Sequence, residues 1–331
     1  MDRILTAIKP TGIMHIGNYF GAVKPFLEMS EGNETFFFIA DYHALNFIKS
    51  AEELKNNSQM LASAYLACGL DPEKIIFFRQ SDVPEVFELN WILSNVTPKG
   101  LMNRAHAYKA IVEQNIENGL EKDTNVNMGL YNYPILMAAD ILLYNTKYVP
   151  VGLDQKQHCE IARDLAQYFN NRYGETFVLP EPKIEESVAV IPGLDGRKMS
   201  KSYNNTIQMF CTEKELQKTV NRIVTDSRLP GEPKNDDCTL AQFYSLFASK
   251  EQAEDFKRRL REGLGWGEAK KELFKLMNDY ISPMREKYNY YMNNPQEVER
   301  ILQEGAIKAR RIARKVLNKV RKRIGVAKLA D

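Results

Sequence analysis

Residues 9–19 read Lys9-Pro10-Thr11-Gly12-Ile13-Met14-His15-Ile16-Gly17-Asn18-Tyr19, and they follow directly on the apolar, β-branched run Arg3–Ile8. The two stretches describe a strand that enters a glycine-bearing loop and then a helix start, which is how a parallel β-α-β crossover opens. Gly12 and Gly17 let a ligand approach the main chain, the helix N-terminus favours an anion, and His15 and Asn18 offer donors three residues apart on one turn. A polar first turn carrying a surface histidine is the plainer reading, and these residues alone do not choose between the two.

The first half of the chain keeps the same rhythm. Short β-branched and aromatic runs at Thr35–Ala40, Lys74–Gln80, Lys147–Val151 and Val188–Ile191 alternate with longer helical patterns, so a parallel sheet is expected. The helix between the second and third strands is well punctuated: Ser50 caps it, Glu53 closes a capping box, Gly69 ends it and Pro72 prevents resumption. From about Ser202 helical periodicity takes over, with Thr212 and Glu215 offering another capping box before Leu216, Val220 and Ile223. A loop rich in glycine, proline and charge spans Asp226 to Asp237, further helices cover 239–293, and a last helix runs from Gln296 to about Ile324. The expected class is α/β, with a parallel-sheet domain over residues 1–200, a helical domain over 201–295 and a basic C-terminal helix over 296–331 that packs back toward the sheet.

The 331 residues include 44% hydrophobic and 27% charged side chains, ordinary values for a chain that buries a large core, so disorder and fibrous structure are not expected. Lys and Arg number 45 against 43 Asp and Glu, a net charge of +2, and any nucleic-acid surface must come from uneven distribution. That unevenness lies at the C-terminus. Lys308, Arg310, Arg311, Arg314, Lys315, Lys319, Arg321, Lys322 and Arg323 fill the faces beside an apolar stripe of Val298, Ile301, Leu302, Ala309, Ile312, Ala313, Val316, Leu317 and Val320. The cluster reads either as a phosphate-contacting surface or as the solvated side of a helix whose stripe is packed. Cysteines 68, 159, 211 and 238 form no C-x-x-C, which suits a reducing compartment and no zinc finger or iron–sulfur site. No apolar run reaches the roughly 20 residues of a membrane span, and Asp2-Arg3 leads into no signal peptide, so a cytoplasmic protein is expected.

A second cluster stands at Lys198-Met199-Ser200-Lys201-Ser202, preceded by Pro192-Gly193-Leu194-Asp195-Gly196-Arg197. Two lysines in a hydroxyl-rich loop beyond a strand can neutralise a leaving pyrophosphate, and the flanking glycines permit movement. A solvated basic loop is the plain alternative. With His15-Ile16-Gly17-Asn18 looking like HIGH and 198–202 reading KMSKS, the chain resembles the class I aminoacyl-tRNA synthetases. Within that class it is most similar to the bacterial branch specific for tryptophan, through residues 133–145 (YPILMAADILLYN) and 149–158 (VPVGLDQKQH), and the similarity runs from about Leu5 to the basic helix.

The resemblance implies a Rossmann-like nucleotide-binding domain and an anticodon-binding helical domain. It also implies activation of tryptophan by ATP with Mg²⁺, transfer to tRNA(Trp), and a homodimer. ATP would lie against Lys9, Pro10, Thr11, Gly17 and Asn18, then Gly152, Leu153, Asp154 and Ile191, under the loop Lys198, Met199, Ser200, Lys201 and Ser202. His15, Asn18, Lys198, Lys201 and Ser202 would serve catalysis. Lys9 stands where many bacterial relatives carry Gln, and His15 where Thr is frequent. Tryptophan would meet Asp140, walls from Tyr133, Met137, His43, Val149 and Val151, and Gln155 at its head group. Some relatives hold an iron–sulfur cluster in the helical domain. With only Cys211 and Cys238 there, none is expected.

Chemistry supports part of this independently. Asp140 interrupts an apolar helical stretch, where an ionised carboxylate needs a partner, and an indole N–H, a donor with no acceptor capacity, is a suitable one; a core salt bridge is the alternative. Met137 also fits plain core packing. Asp154 and His158 have a helical metal-ligand spacing but no third ligand near them, so no metal is expected. Lys109 reads as a phosphate-reaching loop lysine or a solvated one, and His106 as ordinary. A tyrosyl enzyme of the same class, a small nucleotidyltransferase and a tRNA-binding module without chemistry are the competing functions.

Overall fold

Phe36, Phe37, Phe38 and Ile39 are each at most 2% exposed, so the strand that holds them is covered on both faces, as a central parallel strand must be. The computed structural model describes residues 2–184 and 191–326. In it β1 (Arg3–Ile8), β2 (Glu34–Ile39), β3 (Ile75–Arg79), β4 (Tyr148–Pro150) and β5 (Glu181–Lys183) form one parallel sheet in the order β3-β2-β1-β4-β5. Side chains alternate across it. Phe37, Ile39, Ile75 and Phe77 enter one core, while Leu5, Phe36, Phe38 and Phe78 enter the other. The chain winds outward from β1 to β3 and then returns to the far side of β1, so the strand order reverses beside β1 and β4 and a crevice opens at their carboxyl ends.

Fourteen α-helices complete the described chain. In the sheet region α1 (Ile16–Asn18) passes through a π-helical turn (Tyr19–Val23) into α2 (Lys24–Ser30), followed by α3 (Asp41–Ala44), α4 (Ala51–Ala67) and α5 (Glu85–Ser94). Next come α6 (Lys99–Met102), α7 (His106–Glu117), α8 (Met128–Leu142) and α9 (Lys156–Tyr173). Beyond the loop at 191–212 lie α10 (Glu213–Asn221), α11 (Thr239–Phe247), α12 (Lys250–Arg261), α13 (Trp266–Asn293) and α14 (Pro295–Ile324). Of the caps read from sequence, Thr212 and Glu215 form the reciprocal box, whereas Ser50 makes a one-sided cap: its Oγ accepts Glu53 N–H, and the Glu53 side chain does not close the expected box. The first core runs without a break from the sheet into α10–α13, through Ile207, Leu216, Phe243, Phe256, Leu273 and Ile281.

One expectation falls largely outside the described residues, and another changes. Of the run Val188–Ile191 only Ile191 lies within the described residues, and the fifth strand is Glu181–Lys183. Its sequence, Glu-Pro-Lys, carries no apolar run because it is an exposed edge where a proline is tolerated. Asp154 and His158 do not share a helix: position 154 falls in a 3₁₀ turn (Leu153–Gln155), and His158 lies in α9.

α14 lies along β3 and joins the two cores, with Val298, Ile301 and Leu302 in one and Ala309, Ala313, Val316, Leu317 and Val320 in the other. Its stripe is therefore packed. Several of its cations are also engaged: Arg310 and Arg314 both bind the carboxylate of Glu85, Arg321 binds Glu88, and Lys319 donates to Thr176 O at 3.0 Å. No helix of the described residues is long and apolar enough to cross a membrane.

Candidate active site

β1 runs between two others, so its carboxyl end delivers Ile8, Lys9 and the loop after them into the crevice. A cavity of about 360 Å³ opens there, floored by Leu5–Ile8 of β1 and walled by α8 and β4. Its lining includes Asp140, Tyr133, Met137, His43, Val149, Val151 and Gln155, so all the residues expected around an amino acid come together. Lys9, Thr11 and Gly152 line the same cavity. A second cavity of about 540 Å³ shares Thr11 and is lined by Gly12, His15, Phe47, Lys201, Thr206 and Gln208.

Asp140 is 4% exposed and partnered. His43 Nε2 stands 2.9 Å from Oδ2, and Gln80 Nε2 donates to Oδ1 at 3.0 Å and Oδ2 at 2.9 Å. Burial pushes this carboxyl above the usual carboxylate range, and the His43 and Gln80 hydrogen bonds oppose that rise. The Tyr133 ring lies tilted against that of His43, their centres 4.3 Å apart, and Lys9 Nζ stands 4.8 Å from the Phe47 ring centre and 5.7 Å from that of Tyr133.

The HIGN turn is a capping box. His15 Nδ1 accepts the N–H of Asn18 at 3.2 Å, and Asn18 Oδ1 accepts the N–H of His15 at 3.1 Å. Half of each side chain is thus spent on the backbone, which the expectation of two substrate donors did not include. Because Nδ1 accepts, the ring proton is assigned to Nε2, and His15 presents one neutral N–H. Burial, and then the charge of Lys201, hold its pKa down to about 4.

The KMSKS loop folds directly over this turn. Gly17 N–H points at Met199 Sδ (3.3 Å), Lys201 Nζ donates to Thr11 O (2.8 Å), and Met199 N–H donates to Ile191 O (2.9 Å). Gly12, at φ +80°, has Lys201 Nζ 3.1 Å from where a Cβ would stand. Ser200 and Ser202 hydroxyls lie 2.7 Å apart, and burial lowers the Lys201 pKa. Lys198 and Ser202 are exposed, Leu153 is exposed, and Pro10 is buried behind the loop. The side chain of Asp154 is outside the described residues. Lys109 pairs with Glu113 at 3.4 Å on α7, and His106 is exposed. Among the described residues no group of three or more His, Cys, Asp or Glu is placed to hold a metal ion.

Two residues escaped sequence reasoning. Gln80 carried a signal, since a polar residue at the carboxyl end of a parallel strand faces the crevice. Asn205 carried none. It is 2% exposed, accepts Ser200 N–H at 2.8 Å, and donates to Asp195 (2.8 Å) and Lys198 O (3.2 Å), so it ties the KMSKS loop together through tertiary contacts alone.

A nucleotide-type sheet with paired cavities at its switch point, and HIGH-like and KMSKS turns in contact, defines a class I aminoacyl-tRNA synthetase. Residues 2–282 match the family described as tRNA synthetases class I (W and Y), and the chain belongs to that family. The tryptophan–tRNA ligase of Neisseria meningitidis is 51% identical over 331 residues, covering 99% of this chain and 98% of that protein. The Pseudomonas aeruginosa tryptophan–tRNA ligase is 50% identical over 335 residues, 99% of this chain and 75% of its own. The crystal structure of the Campylobacter jejuni tryptophanyl-tRNA synthetase complexed with ADP and tryptophan superposes with a TM-score of 0.90 at 46% identity, covering 98% of this chain and 99% of that one.

Proposed function

We propose that this chain is a tryptophan–tRNA ligase, and that the two cavities at the carboxyl ends of β1 and β4 hold tryptophan and ATP. The observation that carries the reading is the buried Asp140 carboxyl at the wall of an apolar cavity that adjoins, at Thr11, the cavity lined by His15 and Lys201. An oxygen of the tryptophan carboxylate attacks the α-phosphorus of ATP. The bond to the bridging oxygen breaks, and pyrophosphate leaves. A ribose hydroxyl of the 3′-terminal adenosine of tRNA(Trp) then attacks the carbonyl carbon, and AMP leaves. The substrates supply both nucleophiles, so the protein contributes positioning and charge stabilisation, with no covalent enzyme intermediate.

In this reading Asp140 accepts the indole N–H. Tyr133, Met137, His43, Val149 and Val151 enclose the ring, and Gln155 meets the head group. ATP enters as its Mg²⁺ complex against Lys9, Pro10, Thr11, Gly17, Asn18, Gly152, Leu153, Asp154 and Ile191. His15 Nε2–H, Asn18, Ser202, Lys198 and Lys201 serve the phosphates. Residues 1–200 form the catalytic domain, residues 201–295 bind the anticodon arm, and the enzyme works as a cytoplasmic homodimer. Amino-acid-dependent pyrophosphate exchange over the twenty amino acids tests the assignment. Exchange with tryptophan alone is expected, and exchange with tyrosine instead overturns it.

A further inference from the structure

Gln80 opens the turn Gln80–Asp82 after β3 and is 1% exposed. Its Oε1 accepts the main-chain N–H of His43 at 3.3 Å, which fixes the way the amide faces: the reversed amide would set its NH₂ against another N–H. Nε2 is thereby aimed at both oxygens of Asp140. The turn is itself tethered, because Asp41 accepts the N–H of Ser81 at 3.1 Å and also its hydroxyl. His43 Nδ1 is buried without a hydrogen-bond partner among the described residues, so the ring proton belongs on Nε2, facing Asp140. A carboxylate offers about four lone-pair sites. On Oδ2, Gln80 and His43 occupy the available directions. On Oδ1, among the described residues, only Gln80 is engaged, which leaves one site for a donor arriving from the cavity.

We propose that Gln80 is the positioning residue that sets amino-acid specificity: its amide holds Asp140 as an ionised acceptor with one lone pair turned to the cavity, so that the pocket selects a side chain bearing an N–H donor. The inference rests on the reading of Asp140 as the indole partner. Other groups around Asp140 do not substitute for Gln80. Asp41 on α3 carries a like charge that opposes ionisation, and Tyr144 beyond α8 is kept neutral by its burial. Tyr133 of α8 lies against the His43 ring, with His158 of α9 and Lys9 next to Tyr133 in turn. With the amide removed, His43 is the one donor left on the carboxyl among the described residues, and burial drives Asp140 toward its protonated form. The charge-assisted bond to the indole then weakens to a neutral one.

The test compares wild type, Gln80→Met and Gln80→Glu in pyrophosphate exchange. The substrates are L-tryptophan and its analogue with sulfur in place of the indole N–H, β-(benzothiophen-3-yl)-L-alanine, each followed across the acidic and neutral range. Gln80→Glu runs beside Gln80→Met because it keeps the volume and the acceptor for His43 N–H, and replaces the amide donors with a second carboxyl beside Asp140, so that the two groups share one proton. In both variants KM for tryptophan rises about tenfold while KM for ATP holds, the preference for tryptophan over the thia-analogue shrinks by the same factor, and the acid limb of kcat/KM for tryptophan moves to higher pH. Equal losses on both amino acids with an unmoved acid limb make Gln80 a packing residue and overturn the inference, while leaving Asp140 in its role. A wild type that does not prefer tryptophan over the thia-analogue overturns the Asp140 reading itself, a failure visible without any variant.

Discussion

His15 does two things at once. It caps the first helix, and it keeps a neutral ring where Lys201 and burial both disfavour a charge. A histidine whose folded pKa of about 4 lies below its unfolded value near 6.5 contributes its full stability above the unfolded value, and loses it as pH falls toward the folded one. The share lost between pH 7 and 5 is about 2 kcal/mol. His15→Thr keeps a competent cap and removes this lability, so its urea midpoint should fall less than that of wild type over the same interval. Parallel falls would show that the ring titrates normally. Lys201→Ala should slow adenylate formation about 10²–10³-fold with little change in tryptophan affinity, because pyrophosphate charge develops only in the transition state. Single-turnover rates beside equilibrium binding separate the two, and matched losses would give Lys201 a purely structural role through Thr11 O. At this scale the sequence was readable where a residue type forced a need, as Asp140 in an apolar helix did. It was silent for Asn205, whose partners are brought together only by the folded loop, and partly misleading for Asn18, whose carbonyl serves its own helix.

Elements were legible wherever local chemistry marks them. Ser50, Gly69, Thr212 and Glu215 bound their helices because caps are short-range, and β1 to β4 declared themselves because buried parallel strands demand apolar runs. β5 did not, being an edge three residues long. α14 announced its stripe but not what its charges meet. Gly305 settles its seat: a Cβ there would stand 1.7 Å from Phe77 O. Gly305→Ala should therefore destabilise by about 1–3 kcal/mol or more despite the alanine's better helix propensity, read as a lowered thermal midpoint. An unchanged midpoint would mean that α14 does not sit this close to β3. Glu85 is held below its ordinary range, since hydrogen bonds from Arg310 and Arg314 outweigh the effect of its burial. Arg310→Gln and Arg314→Gln should then lower stability by about 1 kcal/mol and leave the slope of log tRNA affinity against log salt unaltered. A slope flattened by about 0.7–0.9 per residue would instead put those arginines on phosphates.

At the scale of the whole molecule, α5 carries an aromatic row on the surface. Trp91 on α5 is 71% exposed, one turn beyond Phe87, whose ring meets the edge of Tyr42 at 4.7 Å. Such an aromatic row on the surface fits an interface between copies of the chain. Light scattering should give twice the 38.1 kDa chain mass, and Trp91→Glu should shift the mass toward one chain. A concentration-independent mass of one chain for wild type would refute the dimer. The packing of α14 along β3 also orders events in time. Arg310 and Glu85 are 225 residues apart in the chain, so the outer strand of the sheet leaves the ribosome long before the helix that shields it has been made. Until then β3 presents an unpaired edge to any neighbouring strand, and a nascent chain held there invites pairing with other chains or protection by a chaperone.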